Sequence, residues 1–351
     1  MNSRAWDDYV MRVLTVMTLG LLVGCQPDNM GREGFHRPGA ANAARAQLAR
    51  MNIEMTDEEY ETRVSGNDTE VVRLFHAAGF ERGRSMGTHL GWASAVGDLA
   101  LVKFLVAENP SHINLVTDGH PPGTPLIYAS MAGHVAVAKF LLDNGAKVSL
   151  PVRVNVEGKT LDLETPLTAA SREGHVETMA LLLRYGADVN AGDPPPLSVG
   201  ALYGNEAVVR FLLSKGADVH AQSVDGWTAV TMAGKCGHIR ILRLLLEHGF
   251  RADSHCGSEE LLAVVDQAAD EPLQAIRLLI KHGAKAKTPA GNAALIKAAE
   301  LGYTKTAILL LRHGADPTFK AANGDSALSW ALLRKDTELA KHLKAAAGAD
   351  K

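Results

Sequence analysis

Short apolar runs recur along the chain: Phe140-Leu141-Leu142, Leu181-Leu182-Leu183, Phe211-Leu212-Leu213, Leu244-Leu245-Leu246 and Leu309-Leu310-Leu311. Each lies between two glycines twelve residues apart, at 133 and 145, 174 and 186, 204 and 216, 237 and 249, and 302 and 314. A glycine just past a helix takes the left-handed conformation that side-chain-bearing residues resist. Each pair therefore predicts two successive short helices. Residues 164–191 carry the unit in full. Thr165-Pro166-Leu167 opens the first helix and Gly174-His175 closes it. A second helix runs through Leu181-Leu182-Leu183, ends at Gly186-Ala187-Asp188 and leads into an extended turn at Val189-Asn190.

This unit closely resembles the ankyrin repeat, whose period is about 33 residues. The resemblance implies an all-α fold: an ankyrin-repeat solenoid of about nine stacked helix pairs with β-hairpin fingers. One helix pair is too small to bury its own apolar face, so it must stack on a neighbour. The first copy opens on the capping-box pattern Thr56-Asp57-Glu58-Glu59, and Gly66 and Gly79 end its helices. It lacks Thr-Pro-Leu and carries charge where other copies carry alanine, as a terminal cap should. The second copy starts at Gly87. Asn109-Pro110 closes it where others have Gly-Ala, so Asn109 is expected in the left-handed conformation. Later copies open at Gly123-Thr124-Pro125-Leu126, Thr165, Pro195-Pro196-Leu197 and Gly226-Trp227-Thr228. The seventh, 258–285, is degenerate, with Glu271-Pro272 near the usual Gly-His. The eighth opens at Gly291 and the ninth at Gly324; Lys335, Lys341 and Lys344 suit a C-terminal cap.

Two departures from the family pattern stand out. The family often has His after Thr-Pro-Leu, bonding across neighbouring loops; here the position holds Ile127, Thr168, Ser198, Thr231, Ile296 or Ser329. Inter-repeat bonding is therefore expected to be missing there or replaced by hydroxyls. The step from Gly145 to Gly186 also exceeds the period, and the extra lies in 152–162. Alternation of Val152, Val154 and Val156 before Gly158 predicts a hairpin that lengthens one finger. A protruding finger serves either as a partner contact or as a tolerated surface insertion.

The N-terminus has a different pattern. Residues 11–25 hold Arg12, a mostly apolar run and Leu22-Val23-Gly24-Cys25, which resembles a bacterial lipoprotein signal box. The run is too short to span a bilayer and fits a signal peptide. The resemblance implies diacylglycerol attached through the Cys25 thiol, with signal peptide 1–25 removed. Asp7 and Asp8 fit a basic leader poorly, so Met11 is the expected start of translation. Gln26 is not the acidic residue linked to inner-membrane retention, so the resemblance places the protein on the periplasmic face of the outer membrane. Several acyl chains together anchor stably where one would be marginal. Residues 26–55, with Pro27, Gly31, Gly34, Pro38 and Gly39, read as a flexible tether, and 56–351 as the solenoid with a cap at each end.

The formal charge of −3 and the lack of a long basic run argue against nucleic acid. Gly83-Arg84-Ser85-Met86-Gly87 spells a nucleophile elbow, but no strand precedes it as that motif requires. His175-Val176-Glu177 has no Pro-Cys-x-x-Cys partner. His248, His282 and His313 each precede a helix-ending glycine, where a histidine serves the last carbonyls. No catalytic, cofactor or metal site is expected. Cys236, at the end of a first helix, and Cys256, near a finger tip, are expected as free thiols. Binding remains. The resemblance implies a protein partner on the concave face, met by the residue before Thr-Pro-Leu and the two before the first glycine. Those positions hold Glu164, Trp227 and Asp325, then Met131 and Ala132, Arg172 and Glu173, Leu202 and Tyr203, Lys235 and Cys236, and Glu300 and Leu301. Met131, Arg172, Glu173, Leu202, Tyr203, Trp227 and Lys235 form the candidate contact set, being rich in types that dominate interfaces. The expected protein is a monomeric, lipid-anchored interaction module. Alternative readings are a periplasmic immunity protein that neutralises a toxin, a cytoplasmic or host-directed effector, and a hydrolase using Ser85.

Overall fold

In a computed structural model of the chain, the described residues are 47, 51, 86–117, 122–150, 152–156, 159–252 and 255–349. The signal box, Cys25, the tether apart from residues 47 and 51, the first repeat and Ser85 lie outside them. The chain forms two compact units, Met1–Ala170 with Glu177–Ala187, and Ser171–Val176 with Asp188–Lys351. Their elements are overwhelmingly helical.

The first unit holds α1 (Met86–Val96), α2 (Leu99–Glu108), a 3-10 turn (Pro110–Asn114), α3 (Pro125–Met131) and α4 (Val135–Asp143). A hairpin of β1 (Val152–Val156) and β2 (Lys159–Glu164) follows. α5 (Pro166–Glu173) and α6 (Val176–Arg184) are divided between the units. α1 packs on α3 and α2 on α4, while each first helix also packs on its own second helix. The second unit repeats this scheme. Its first helices are α7 (Pro196–Leu202), α9 (Ala229–Lys235), α11 (His255–Gln267), α13 (Pro289–Leu301) and α15 (Ala327–Leu333). Its second helices are α8 (Glu206–Ser214), α10 (Ile239–Glu247), α12 (Leu273–Lys281), α14 (Thr304–Arg312) and α16 (Thr337–Ala349). First helices contact first helices and second helices contact second helices, giving two layers.

The local causes are those the sequence announced. Thr124 stands at the N-cap of α3, where its hydroxyl accepts from the Ile127 N–H at 3.2 Å, and Pro125 follows in the first turn. The apolar runs face the space between layers: Leu141, Leu182, Leu212, Leu245 and Leu310 are all fully buried. Each such leucine stabilises the stack by about 1.5–3 kcal/mol. The lengthened finger is the expected hairpin, with Val152 buried and packed with Ile127 and Ala169.

All ten paired glycines have positive φ. Among the first members, Gly204 and Gly302 are crowded, while Gly237 is open. A β-carbon on Gly204 would lie 2.8 Å from the His238 ring, and one on Gly97 would lie 2.6 Å from that of His134. Of the second glycines, Gly145, Gly186, Gly216 and Gly249 would meet nothing within 4 Å, and Gly314 only the Lys287 side chain at 3.5 Å. The crowding arises because the next repeat lays a side chain over the glycine to reach the carbonyl two residues before it. His134 Nε2 donates to Ala95 at 3.0 Å, Asn205 Nδ2 to Arg172 at 2.9 Å, His238 Nε2 to Leu202 at 3.1 Å and Arg334 Nη1 to Glu300 at 3.0 Å. A second series ties finger bases together: Asn190 accepts from the Asp218 N–H at 2.9 Å and Asn292 from the Asp316 N–H at 2.8 Å.

The structure corrects several expectations. Thr168 and Ser329 do not bond across repeats; each hydroxyl closes its own helix cap, accepting from the N–H of Thr165 and of Ser326. Asn109 is not left-handed, at φ −144°. Its side chain instead accepts from the Ser111 N–H and starts the 3-10 turn, while Pro110 holds its backbone extended. Gly291 does not open the eighth repeat. α13 starts at Pro289 on the Thr288 cap, and Gly291 is inside the helix, where a β-carbon would lie 2.2 Å from the Ala286 carbonyl oxygen. α11 is extended in the same way, to 13 residues against 7 in α9, and this places Cys256 in a helix rather than near a finger tip.

The ninth repeat puts Lys335 where other repeats put the first glycine, and Lys335 is held at φ 59°. A β-carbon in that region is strained by about 1–2 kcal/mol. Lys335→Gly is therefore expected to raise the urea midpoint with an unchanged m-value, a gain of about 1 kcal/mol. An unchanged or lower midpoint would show that the lysine side chain stabilises the cap by more than the strain costs.

Candidate functional site

The C-terminal ends of first helices supply most of the expected contact residues. In the second unit Arg172 and Glu173 end α5, Leu202 and Tyr203 end α7, and Lys235 and Cys236 end α9. The bonds from Asn205 to Arg172 and from His238 to Leu202 tie these ends to the loops that follow, so they form a row. Tyr203 is exposed to 41%. Arg172 is largely covered and bonds to Glu173 through Nε at 3.1 Å. Trp227, just before the Thr228 cap of α9, is half-buried. The Lys235 ammonium stands 4.6 Å from the centre of its ring, an arrangement that favours a cation over an aromatic face. Ser223 and Trp227 close the preceding finger: the Ser223 N–H donates to the Trp227 carbonyl, and the Trp227 N–H to the Ser223 hydroxyl. Trp227 and Lys235 are thus brought together, and Tyr203 lies one repeat away.

Met131 belongs to the first unit, where it packs against Ile127, Val152 and Ala169. Its adaptable thioether fills the base of the long finger and is half-buried. Cys236 is a free, exposed thiol at the end of α9. The histidines sit as helix ends require: His248 caps α10, and its Nδ1 donates to the Leu244 carbonyl at 2.8 Å. Among the described residues no three His, Cys, Asp or Glu side chains come together as a metal cluster, and no helix is long and apolar enough to cross a membrane.

One chemically unusual group escaped the sequence reading. Glu260, in α11, is only 4% exposed. It receives the Thr228 hydroxyl on Oε1 at 2.7 Å and the Thr231 hydroxyl on Oε2. Thr231 is a position where the family pattern would place histidine, so a carboxylate from the next repeat completes that junction. Burial drives the Glu260 pKa upward; the two hydroxyls oppose the rise and the charge of Glu259 adds to it. The signal available was the Thr-x-x-Thr spacing at 228 and 231, which sets two hydroxyls 3.2 Å apart at the start of α9, facing the next repeat.

The geometry agrees with what sequence comparison finds. The sequence model for ankyrin repeats in three copies matches residues 63–152, 90–193, 150–223, 197–288 and 261–351. The chain belongs to the ankyrin-repeat family, whose repeats form protein–protein interaction modules. It is 34% identical over 110 residues to an ankyrin repeat-containing protein of Treponema pallidum, across 30% of this chain and 37% of that one. It is 31% identical over 133 residues to an ankyrin repeat and KH domain-containing protein of Caenorhabditis elegans, across 35% of this chain and 5% of the relative. A protein of the same description from Caenorhabditis briggsae is 31% identical over 115 residues, with 4% of its length covered. The matches thus span well under half of each relative.

Glu260 makes stability pH-dependent with a definite sign. Near its ordinary value of 4.5 the unfolded carboxyl ionises, while the folded one keeps its proton. The folded state then binds more protons, so stability falls as pH rises from about 4.5 toward the raised folded value. Glu260→Gln removes this component. The variant should gain stability relative to wild type as pH rises, read from urea midpoints across that range. A pH-independent difference would mean that Glu260 ionises alike in both states.

Proposed function

We propose that the protein is a non-catalytic binding module, anchored by lipid at Cys25, that holds a protein partner against the row of first-helix ends in its second unit. The observation that carries this reading is the row itself. Arg172, Tyr203 and Lys235 stand on successive repeats, with Trp227 beside Lys235, and the helix ends that carry Arg172 and Tyr203 are fixed by side chains of the following repeats. Binding to a surface held this way loses little conformational entropy on contact. Tryptophan, tyrosine and arginine dominate interface energetics when they are enclosed by a partner. In this reading 1–25 is the leader, 26–55 the tether and 56–351 the repeat array, a monomer at the periplasmic face of the outer membrane. The family resemblance supports a protein partner, and the Leu22-Val23-Gly24-Cys25 box supports the anchor.

Two measurements test the two halves separately. Labelled palmitate fed to the native host should mark the wild-type protein and leave Cys25→Ser unmarked; equal labelling removes the anchor at Cys25. Capture from detergent-solubilised envelope should recover one protein with wild-type bait. A Trp227→Ala, Tyr203→Ala double variant of unchanged helical content should lose at least about tenfold of it. Equal recovery by both baits would remove the partner from this row.

A further inference from the structure

The second helices of the second unit carry a charge pattern that the partner-binding row does not explain. Counted from its first residue, α10 has Arg240 at position two and Arg243 at position five. α8 has Arg210 at five, α12 has Arg277 at five and Lys281 at nine, and α14 has Lys305 at two and Arg312 at nine. Positions two, five and nine are three and four residues apart, so they lie along one stripe of a helix. All of these basic residues are exposed. α8, α10, α12 and α14 pack side by side, so the stripes join into one face. Packed helices lie about 8–10 Å apart, which makes that face roughly 30 Å across. The acidic residues of the four helices are Glu206 and Glu247. Glu206 is engaged with Arg210 at 2.7 Å, and none of the other basic residues has an ion-pair partner among the described residues. This concentration stands out in a chain whose formal charge is −3.

We propose that this second-helix face docks on an anionic phospholipid surface. Three features select that occupant. The charges are spread over a face, as a layer of mobile headgroups requires. No large apolar side chain of α8, α10, α12 or α14 is among the exposed ones, so the face lacks the apolar anchors on which a protein interface depends. Between α8 and α10, a cleft of about 440 Å³ is lined by Arg210, Arg240 and Arg243 together with Glu206 and Glu247, over Ile239 and Leu244. The three guanidinium groups outnumber the two carboxylates, one of which is engaged with Arg210, and leave Arg240 and Arg243 to meet a phosphate-bearing headgroup. Each basic side chain near an anionic leaflet adds attraction that falls off within a Debye length. The inference is independent of acylation at Cys25.

The test uses the full chain carrying Cys25→Ser, so that no acyl group contributes. It is floated with phosphatidylcholine vesicles, with and without phosphatidylglycerol. Binding should require phosphatidylglycerol and weaken with added salt. Arg240→Glu, Arg243→Glu and Arg277→Glu together should reduce it at least about tenfold. The corresponding three-glutamine variant, which guards against a folding defect in the first, should fall between. Equal flotation of wild type and the glutamine variant, at matched circular dichroism, would overturn the proposal. So would equal binding to phosphatidylcholine alone, or loss of vesicle binding to a sub-stoichiometric oligonucleotide or acidic peptide.

Discussion

A first helix such as α7 is seven residues long, too short to satisfy most of its own carbonyls. The following repeat supplies the missing donor. It reaches back over the helix-ending glycine to the carbonyl two residues earlier, with His134, Asn205, His238 or Arg334 as circumstances allow. The side chain varies; the carbonyl and the glycine do not. Two demands therefore meet at that glycine. It must turn left-handed to end its helix, and it must leave room for its neighbour's side chain. A repeat is finished only when the next one has stacked on it, and this dependence makes the stack specific as well as apolar.

The same device locates both surfaces. Because α5 and α7 are pinned at their C-terminal ends, residues just before the glycine are held in a row that a partner can meet. The basic residues on the outer stripes of α8, α10, α12 and α14 take no part in such ties, so charge and solvent govern that face. Glu260 shows what happens at a joint where the usual polar link is absent. Thr228 and Thr231 have turned inward and a carboxylate from the neighbouring repeat fills the gap, at the expense of its normal ionisation.

The sequence made most of the frame legible, because its signals are local. Glycine pairs, apolar triplets and Thr-Pro-Leu caps act within a few residues, and the hairpin at 152–164 announced itself by alternation of valines. What was illegible depends on the neighbour. Nothing local to Glu260 shows that two threonines of the preceding repeat will enclose it. The extra residues of α13 overrode the opening expected at Gly291, because Thr288 offered a cap three residues earlier, and those of α11 took up the finger tip expected near Cys256. Asn109 was read by analogy with glycine, whereas the proline after it decided its backbone. The basic stripes form no run of charge in the sequence, since residues that adjoin in space are a whole repeat apart along the chain. Among the candidate contact residues, position on the first-helix ends was legible; the closeness of Trp227 to Lys235 was not, because it depends on how the finger folds back.

The bonds that join repeats also set the order of events when the chain is made. The Asp316–Asn292 link spans 24 residues and the Tyr185–Asp143 link 42, so among the described residues bonded partners lie within about one repeat of each other. Closing such loops costs little entropy, and these pairings need not wait for the C-terminus. Assembly can begin at whichever repeat is most stable and spread by one neighbour at a time. During synthesis each emerging repeat completes its predecessor, whose carbonyl is still open for the next side chain.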